Sequence, residues 1–408
     1  MLKNTLLLLA LFLLHQYVSA QRIEQCASMQ KIEFFNPKVI LSAQARGVIN
    51  RNTGQFAAKR KVIIIPVVVH VIYKTAEQNI SDELIQSQIN ILNRDYRRNN
   101  TDTADTPAPF KSVAADCEIE FCLAQQDPQG NPTNGITRTP TTINEIGNTD
   151  KFYQSAQGGK DIWDRNSYLN IWVCQIKFSG DLLGFSPLPS FNPLPDRDGV
   201  VIDYRYFGKN NKSSFGKGRT CTHEVGHWLD LYHIWGDDGG LCSGTDFVDD
   251  TPNQSIEHFG KPVFPALDSC NSNYPGTMFM NFMDYSDDAV MNMFTQGQRQ
   301  RMDEAFLISF RDSLRLSKGC LPLTSENNQV QVYPNPSNGI FKIYFSLYEP
   351  ENVQLMLYNF MGEILLKLEL NAVQLASESL DLRNYPGGVY LLHIATNKNK
   401  IIKKIIKN

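Results

Sequence analysis

The stretch HEVGHWLDLYH at residues 223–233 restricts the fold more than any other part of the chain. His223 and His227 are spaced so that a helix carries both imidazoles on one face, and Glu224 then reaches a water held by the same ion. His233 can add a third nitrogen only if the helix ends after His227 and the chain turns. Three imidazoles and one open position are the pattern of a catalytic zinc site. The alternative is a buried helix with packed histidines.

The composition excludes several classes of protein. The chain has 408 residues, of which 42% are hydrophobic, and this predicts two or three packed domains. The formal net charge of −3 lacks the basic surplus of a nucleic-acid-binding protein, so we expect no nucleic acid as a partner. Beyond the first residues no apolar run has the length of a membrane span, which excludes a multi-span membrane protein. The sequence leaves the oligomeric state open.

The N-terminus has the pattern of an export signal. Met1–Ala20 combines Lys3, a short apolar run and a small-residue cleavage site, which predicts a signal peptide. Residues 21–61 are polar, have weak periodicity and end in a basic stretch, which indicates a pro-segment. Export places the eight cysteines in an oxidising compartment, where disulfides persist. The sequence alone leaves their connectivity open.

Strand and helix patterns alternate over residues 62–322 and predict a layered α/β domain. The β-branched run Val62–Tyr73 predicts a buried strand. Ser81 is suited to cap a helix in which apolar residues then recur at helical spacing. Further strands are predicted at Ile119–Ala124, Tyr168–Ile176 and Val200–Phe207.

The composition changes after Cys320. A polar linker is predicted at residues 323–329, and short strand patterns separated by turn residues follow over residues 330–408. This arrangement predicts a small all-β sandwich domain. Its strands are predicted at Ile340–Phe345, Val353–Tyr358, Ile364–Leu368, Val389–Ile394 and Ile401–Ile406.

The zinc pattern resembles the long motif of the metzincin peptidases, HExxHxxGxxH, and Trp228 and Tyr232 within it resemble the pappalysin branch. Downstream, Asn281–Tyr285 (NFMDY) is similar to the methionine turn of metzincins. The resemblance covers residues 62–319 and implies a metzincin domain with a twisted mixed sheet and a zinc-binding helix. The chain departs from the family at Asp230, where the family has a glycine. Asp tolerates the left-handed backbone region that this turn needs, at some cost.

The resemblance implies a zinc endopeptidase. Zinc would lower the pKa of its water and polarise the scissile carbonyl. Glu224 would take the proton of that water and pass it to the leaving amine. By resemblance, Met283 forms an apolar floor beneath the metal and Tyr285 hydrogen-bonds the tetrahedral oxyanion. Only its turn context separates Met283 from the neighbouring methionines, which are interpreted as core residues.

Two further segments are implied to contact substrate. Residues 182–186 resemble the edge strand of the family, in which Gly184 and Phe185 would pair with extended substrate. Asp288 stands where an acid closes the S1′ pocket in pappalysin-like bacterial enzymes. It would select Arg or Lys after the scissile bond, at P1′, by a charge-assisted contact. Asp287 beside it is equally explained as a solvated turn residue.

An acidic loop at residues 245–252 offers hard oxygen ligands. Asp246, Asp249 and Thr251 are assigned to calcium, which suits such ligands and which pappalysin-like relatives carry near here. A solvated acidic turn explains the loop nearly as well. The resemblance also implies a disulfide between Cys242 and Cys270, which flank the loop.

Cys26 lies in the predicted pro-segment. Pro-forms of this family can be held latent by a cysteine thiolate that fills the open position at the zinc, whereas a disulfide explains Cys26 equally well. Cleavage at the basic residues 59–61 would release the pro-segment. If the S1′ pocket takes Arg or Lys, the chain would activate itself.

The end of the chain carries a second resemblance. Tyr333–Gly339 (YPNPSNG), Gly362, Gly388–Leu392 (GVYLL) and a Lys-rich terminus are similar to the C-terminal sorting domain of the type IX secretion system of Bacteroidetes. This implies secretion machinery as a partner. The alternative is an accessory sandwich domain that binds carbohydrate or protein.

We therefore expect a secreted or cell-surface zinc endopeptidase that acts on protein or peptide substrates. The rival interpretation is a metzincin scaffold with little or no turnover that serves as a surface binding or adhesion protein. Asp230 is its main support. A different metallohydrolase, such as an amidase, is disfavoured by His233 and the methionine turn.

Overall fold

The computed structural model describes residues 26–28, 62–176, 182–210, 213–307, 310–321, 329–397 and 399–408. The predicted signal peptide, the basic residues 59–61 and nearly all of the predicted linker lie outside the described residues. The chain divides into two compact units, of which the first is formed mainly by residues up to Arg315 and the second mainly by Leu316–Asn408. Among the described residues, no helix has the length and apolar character needed to cross a membrane.

The first unit is built on a six-stranded mixed sheet. Its strands are β1 (Ile63–Tyr73), β2 (Ile119–Leu123), β3 (Ile136–Pro140), β4 (Leu169–Cys174), β5 (Gly184–Phe185) and β6 (Val200–Asp203). The order is β2-β1-β4-β6-β5, with β3 also paired to β1. Strand β1 lies inside the sheet and is almost wholly buried, which explains its continuous apolar sequence. Strand β5 is antiparallel to β6 and ends the order.

Among the described residues, three α-helices accompany this sheet: α1 (Asp82–Tyr96), α2 (Arg219–Trp228) and α3 (Gln296–Ala305). Helix α1 begins as predicted, because the Ser81 side chain accepts a hydrogen bond from the Leu84 amide. Every residue of α2 is buried, and Tyr96 at the end of α1 donates a hydrogen bond to the Thr222 carbonyl in α2. Helix α3 and strand β3 were not predicted from the sequence.

The second unit contains a five-stranded antiparallel sheet. Its strands are β7 (Gln329–Tyr333), β8 (Ile340–Tyr358), β9 (Ile364–Asp381), β10 (Gly388–Ala395) and β11 (Lys400–Lys407). The order is β11-β10-β8-β7, and β9 also pairs with β8. The two strands predicted at Ile340–Phe345 and Val353–Tyr358 are one strand, β8, because register shifts between Ser346 and Val353 carry the pairing with β9 past the interruption in the apolar pattern. The predicted strand at Ile364–Leu368 likewise continues to Asp381.

Two disulfides are present among the described residues. One joins Cys242 to Cys270, the pairing that the family resemblance implies. The other joins Cys122 to Cys320, a pairing that the sequence left open. Cys26 is a buried thiol and belongs to neither bridge, so the disulfide alternative for this residue was wrong.

Candidate active site

Helix α2 ends in a turn that redirects the chain towards the third histidine. The Asp230 amide donates to the His227 carbonyl at 2.8 Å, and the Leu231 amide donates to the Gly226 carbonyl at 2.9 Å. These two bonds form a Schellman cap, which needs a left-handed residue directly after the helix. Asp230 supplies it with φ 71°. The chain is thereby turned so that His233 faces the two histidines of the helix.

The three imidazoles converge on one point. The Nε2 atoms of His223 and His233 each lie 3.1 Å from Nε2 of His227. Each Nδ1 instead faces an acceptor. Nδ1 of His223 lies 2.8 Å from the Phe282 carbonyl, and Nδ1 of His227 lies 2.7 Å from the Leu231 carbonyl. Nδ1 of His233 lies 2.8 Å from the Asp237 carboxylate. Each Nδ1 therefore carries the proton, and three Nε2 lone pairs face one another.

This donor set fits a zinc ion. Burial lowers the pKa of His223 to about 3 and holds the pKa of His227 well below its ordinary value, so both rings are neutral, as metal ligands must be. Three facing lone pairs repel unless a cation lies between them. The carboxylate of Asp237 behind His233 is a partner typical of metal-bound histidines. The sulfur of Cys26 completes a group whose four ligand atoms all lie within 4.8 Å of one another.

Glu224 lies beside this cluster and is fully buried. Its Oε2 accepts a hydrogen bond from the Ser28 hydroxyl at 3.1 Å, whereas Oε1 has no partner among the described residues. Burial raises the pKa of this carboxyl to about 8. Strand β5 passes directly against it, since a Cβ atom on Gly184 would lie 3.0 Å from Cγ of Glu224.

The methionine turn lies below the histidines. A Cβ atom at Gly226 would lie 2.5 Å from Sδ of Met283, so this position of the helix requires glycine for Met283 to approach. Tyr285 places its hydroxyl 3.2 Å from Nε2 of His233 and donates a hydrogen bond to the Cys26 carbonyl at 3.1 Å. Met283 thus packs against the helix that carries His223 and His227, and Tyr285 lies beside His233.

Residues 26–28 occupy the cleft in front of the histidines. Cys26 forms a parallel bridge with Gly184, and the Ala27 amide donates to the Gly184 carbonyl. The Ser28 hydroxyl accepts from the Ser186 amide at 2.9 Å while it donates to Glu224. Burial and the nearby carboxylate raise the pKa of the Cys26 thiol in the absence of a cation.

A small pocket opens beside Glu224. Its lining residues are Phe215, Arg219, Thr220, His223, Glu224, Asp284, Asp288 and Met291. Asp288 is buried, and its Oδ2 accepts from the amides of Lys217 (2.8 Å) and Arg219 (3.2 Å) at the start of α2. Its Oδ1 has no partner among the described residues. Burial raises the pKa of this carboxyl to about 7.

The residues assigned to calcium are only partly brought together. The Thr251 hydroxyl donates to the Asp246 carboxylate at 2.8 Å, whereas Asp249 is exposed. Among the described residues, only the cluster of Cys26 with the three histidines meets the geometry of a group of three or more His, Cys, Asp or Glu ligands. The calcium assignment stays a prediction.

The structure adds three residues to this region that sequence reasoning missed. Ser28 caps the glutamate, Asp237 orients His233, and Arg301 pairs with Asp230 at 2.6 Å. Only Asp237 had a local signal, since it follows His233 by four residues in a glycine-rich stretch. Ser28 and Arg301 reach the site from segments that are distant in sequence.

The fold is a mixed sheet with a buried helix that carries two histidines. A third histidine follows after a turn, and a methionine packs against the helix. These features together are typical of a metalloendopeptidase of the metzincin class. The comparisons with known proteins agree with this class. The peptidase M43 family model, described as pregnancy-associated plasma protein-A, matches residues 153–307, and the secretion system C-terminal sorting domain matches residues 331–408. The chain belongs to the peptidase M43, or pappalysin, family.

Among the relatives, an extracellular metalloprotease of Arthroderma benhamiae is 34% identical over 57% of this chain and 68% of its own length. Another of Arthroderma gypseum is 30% identical over 72% of this chain and 86% of its own. Mature mirolysin of Tannerella forsythia, solved with a cleaved peptide, is 51% identical with a TM-score of 0.61 and covers 63% of this chain and 97% of its own. A promirolysin mutant from the same organism is 44% identical with a TM-score of 0.64, over 72% and 97%. The chain is therefore a secreted metalloendopeptidase with a C-terminal sorting domain.

Proposed function

We propose that the chain is a zinc-dependent endopeptidase in which Glu224 handles the proton of the attacking water and Asp288 favours Arg or Lys at P1′. The observation that carries the proposal is the convergence of three histidine Nε2 atoms beside a buried carboxylate. His223, His227 and His233 would hold the ion.

The residues around the histidines supply the remaining chemistry. A bound zinc ion provides a Lewis acid that lowers the pKa of water and polarises a carbonyl. Glu224 accepts the proton of the attacking water and delivers it to the leaving amine, and its unpartnered Oε1 is available for this transfer. The Tyr285 hydroxyl, next to His233, donates a hydrogen bond to the oxyanion.

Extended substrate would bind along strand β5. This strand ends the order of the sheet, and its outer side already pairs with residues 26–28. Backbone pairing tolerates many sequences, so specificity must come from side-chain pockets. Because Gly184 has no side chain, it brings the peptide close to Glu224.

The pocket beside Glu224 is suited to a cationic P1′ side chain. Asp288 presents the unpartnered Oδ1, and the cation of Arg219 in the pocket wall is already paired with Asp102 at 2.7 Å and Asp95 at 3.4 Å. The carboxylate of Asp284 also lines the pocket. Carboxylates therefore outnumber cations around it, which favours Arg or Lys.

The same geometry supports latency of the full chain. Cys26 places its sulfur with the three histidine nitrogens, where a thiolate would fill the open position on a metal. Ser28 at the same time occupies Oε2 of Glu224. Residues 26–28 must therefore leave the cleft before peptide can enter.

The two ends of the chain would direct export. The C-terminal match to a secretion sorting domain supports secretion machinery as a partner. The N-terminal signal peptide at residues 1–20 and the cleavage at residues 59–61 stay predictions. We expect the mature protein to be released or held at the cell surface.

Cleavage-site mapping tests the proposal. The processed chain is incubated with a diverse peptide library with and without a zinc chelator, and the products are identified by mass spectrometry. Glu224→Ala is the matched control. We expect chelator-sensitive cuts before Arg or Lys from the native chain and no cuts from the variant.

Two outcomes would overturn parts of the proposal. Cuts without preference at P1′ would remove the role of Asp288 and leave the peptidase. No cuts from a folded, processed and zinc-loaded chain would remove the peptidase and favour the binding-scaffold interpretation.

A further inference from the structure

The Asp230 side chain makes contacts that a glycine in the same turn could not make. Its Oδ2 accepts from Nη2 of Arg301 at 2.6 Å, and its Oδ1 accepts from the Ser190 amide at 2.9 Å. Its carbonyl also accepts from Nε of Arg301 at 2.6 Å. Asp230 and Arg301 are both buried, so this ion pair is shielded from solvent.

These contacts join three parts of the catalytic unit. Asp230 belongs to the turn that ends α2, and Arg301 belongs to α3. Ser190 lies in the short 3₁₀ helix Pro189–Phe191, which follows strand β5 closely in sequence. The Arg301 guanidinium also lies 4.9 Å from the ring centre of Tyr232, which adds a cation–π contact within the zinc motif.

The turn that Asp230 anchors holds two elements of the metal centre. The Leu231 carbonyl, directly after Asp230, accepts from Nδ1 of His227 at 2.7 Å. His233 itself follows two residues later. A displaced turn would therefore move one ligand and the hydrogen-bond partner of another.

We propose that Asp230 is a positioning residue. Through Arg301 and the Ser190 amide, it fixes the turn that leads to His233 relative to strand β5 and the short 3₁₀ helix after it. This inference rests on the proposed peptidase function, in which β5 binds substrate. Asp230 adopts the left-handed backbone less readily than the family's glycine would, but its side chain adds a buried ion pair with Arg301. Asp230 supports turnover in this chain and does not mark an inactive scaffold.

The test compares Asp230→Gly with the native full chain after processing. Glycine suits the left-handed turn but removes both side-chain contacts. We expect zinc to pass to a chelating dye about tenfold faster, which matches the lower end of the 10- to 100-fold loss of metal affinity that is typical when groups supporting a metal ligand are altered. We also expect KM for a peptide substrate to rise severalfold, because the segment after β5 loses its tie to the turn.

Further variants separate positioning from overall stability. Asp230→Asn keeps an acceptor for the Ser190 amide and tolerates the left-handed turn, so we expect a smaller change in both quantities. The double variant Asp230→Gly with Arg301→Met removes the unpaired buried cation. It should recover thermal stability while zinc release stays fast. Arg299→Gln is the matched control, because Arg299 lies on the same helix and pairs with the partly exposed Glu118.

The results decide between the possibilities. Zinc release and KM of Asp230→Gly within twofold of native would overturn the inference. Recovery of native zinc release by the double variant would also overturn it, because the effect would then be one of stability alone. If neither the native chain nor Arg299→Gln cleaves peptide, the proposed function fails, while the zinc-release comparison still tests Asp230.

Discussion

Replacement of Asp288 by Asn gives the sharpest test of how the pocket selects substrate. One oxygen of Asp288 accepts from the amides of Lys217 and Arg219, and the other has no partner among the described residues. The oxygen of an Asn side chain would keep the contact with these amides. Its NH₂ group would then occupy the position of Oδ1 and present donors to a cationic P1′ side chain, in place of a charge.

The expected magnitude follows from the lost interaction. A hydrogen bond to a charged group is worth about 1.5–3 kcal/mol, and loss of one lowers kcat/KM by about 10- to 150-fold. We expect a loss of this size for a peptide with Arg at P1′. For the same peptide with Ala at P1′ we expect a change of less than about threefold, because Ala does not reach a charged partner.

The assay measures kcat/KM for this peptide pair with native, Asp288→Asn and Asp287→Asn chains. Asp287 is the matched control, since it is adjacent in sequence but does not line the pocket. An unchanged preference for Arg in Asp288→Asn, or an equal loss in Asp287→Asn, would refute the reasoning. Because burial raises the pKa of Asp288 to about 7, the carboxyl becomes neutral below that pH. The ratio of Arg to Ala turnover should therefore fall from pH 8 to pH 6 in the native and Asp287→Asn chains but not in Asp288→Asn.

The N-terminal segment, the metal centre and the acidic loop can each be tested by substitution. In the unprocessed chain, Cys26→Ala and Ser28→Ala should each allow peptide turnover before any cleavage of the N-terminal segment. Cys26→Ala should have the larger effect, because its sulfur lies with the histidine nitrogens. Turnover that appears only after processing would contradict this prediction. Asp237→Asn should weaken zinc affinity about 10- to 100-fold in equilibrium dialysis, because an amide polarises the His233 ring less than a carboxylate does. Unchanged affinity would show that Asp237 does not support His233 as a metal ligand. Calcium should raise the melting temperature of the native chain but not of Asp246→Asn. Burial raises the pKa of Asp246 to about 7, and a bound cation would stabilise its charged form. If calcium does not change the melting temperature of the native chain, the calcium assignment is wrong.

Local patterns predicted the elements that carry the site. The β-branched run of β1 and the Ser81 cap of α1 were correctly predicted, because both signals lie within one element. The same reasoning split β8 into two strands, since a bulge interrupts apolar alternation without ending the pairing. Helix α3 was missed because few apolar residues face its core side. Its buried positions include the polar residues Gln298 and Arg301.

The sequence by itself determined the chemistry at the centre of this protein. The spacing of His223, His227 and His233 with the adjacent Glu224 predicts a helix, a turn and a metal-binding group, since each relation spans only a few residues. Only the tertiary structure decided what surrounds them. Ser28 lies almost two hundred residues from Glu224 in the chain, and similarly distant partners pair Cys122 with Cys320. Such contacts leave no local pattern, because the fold and not the sequence separation sets which side chains meet.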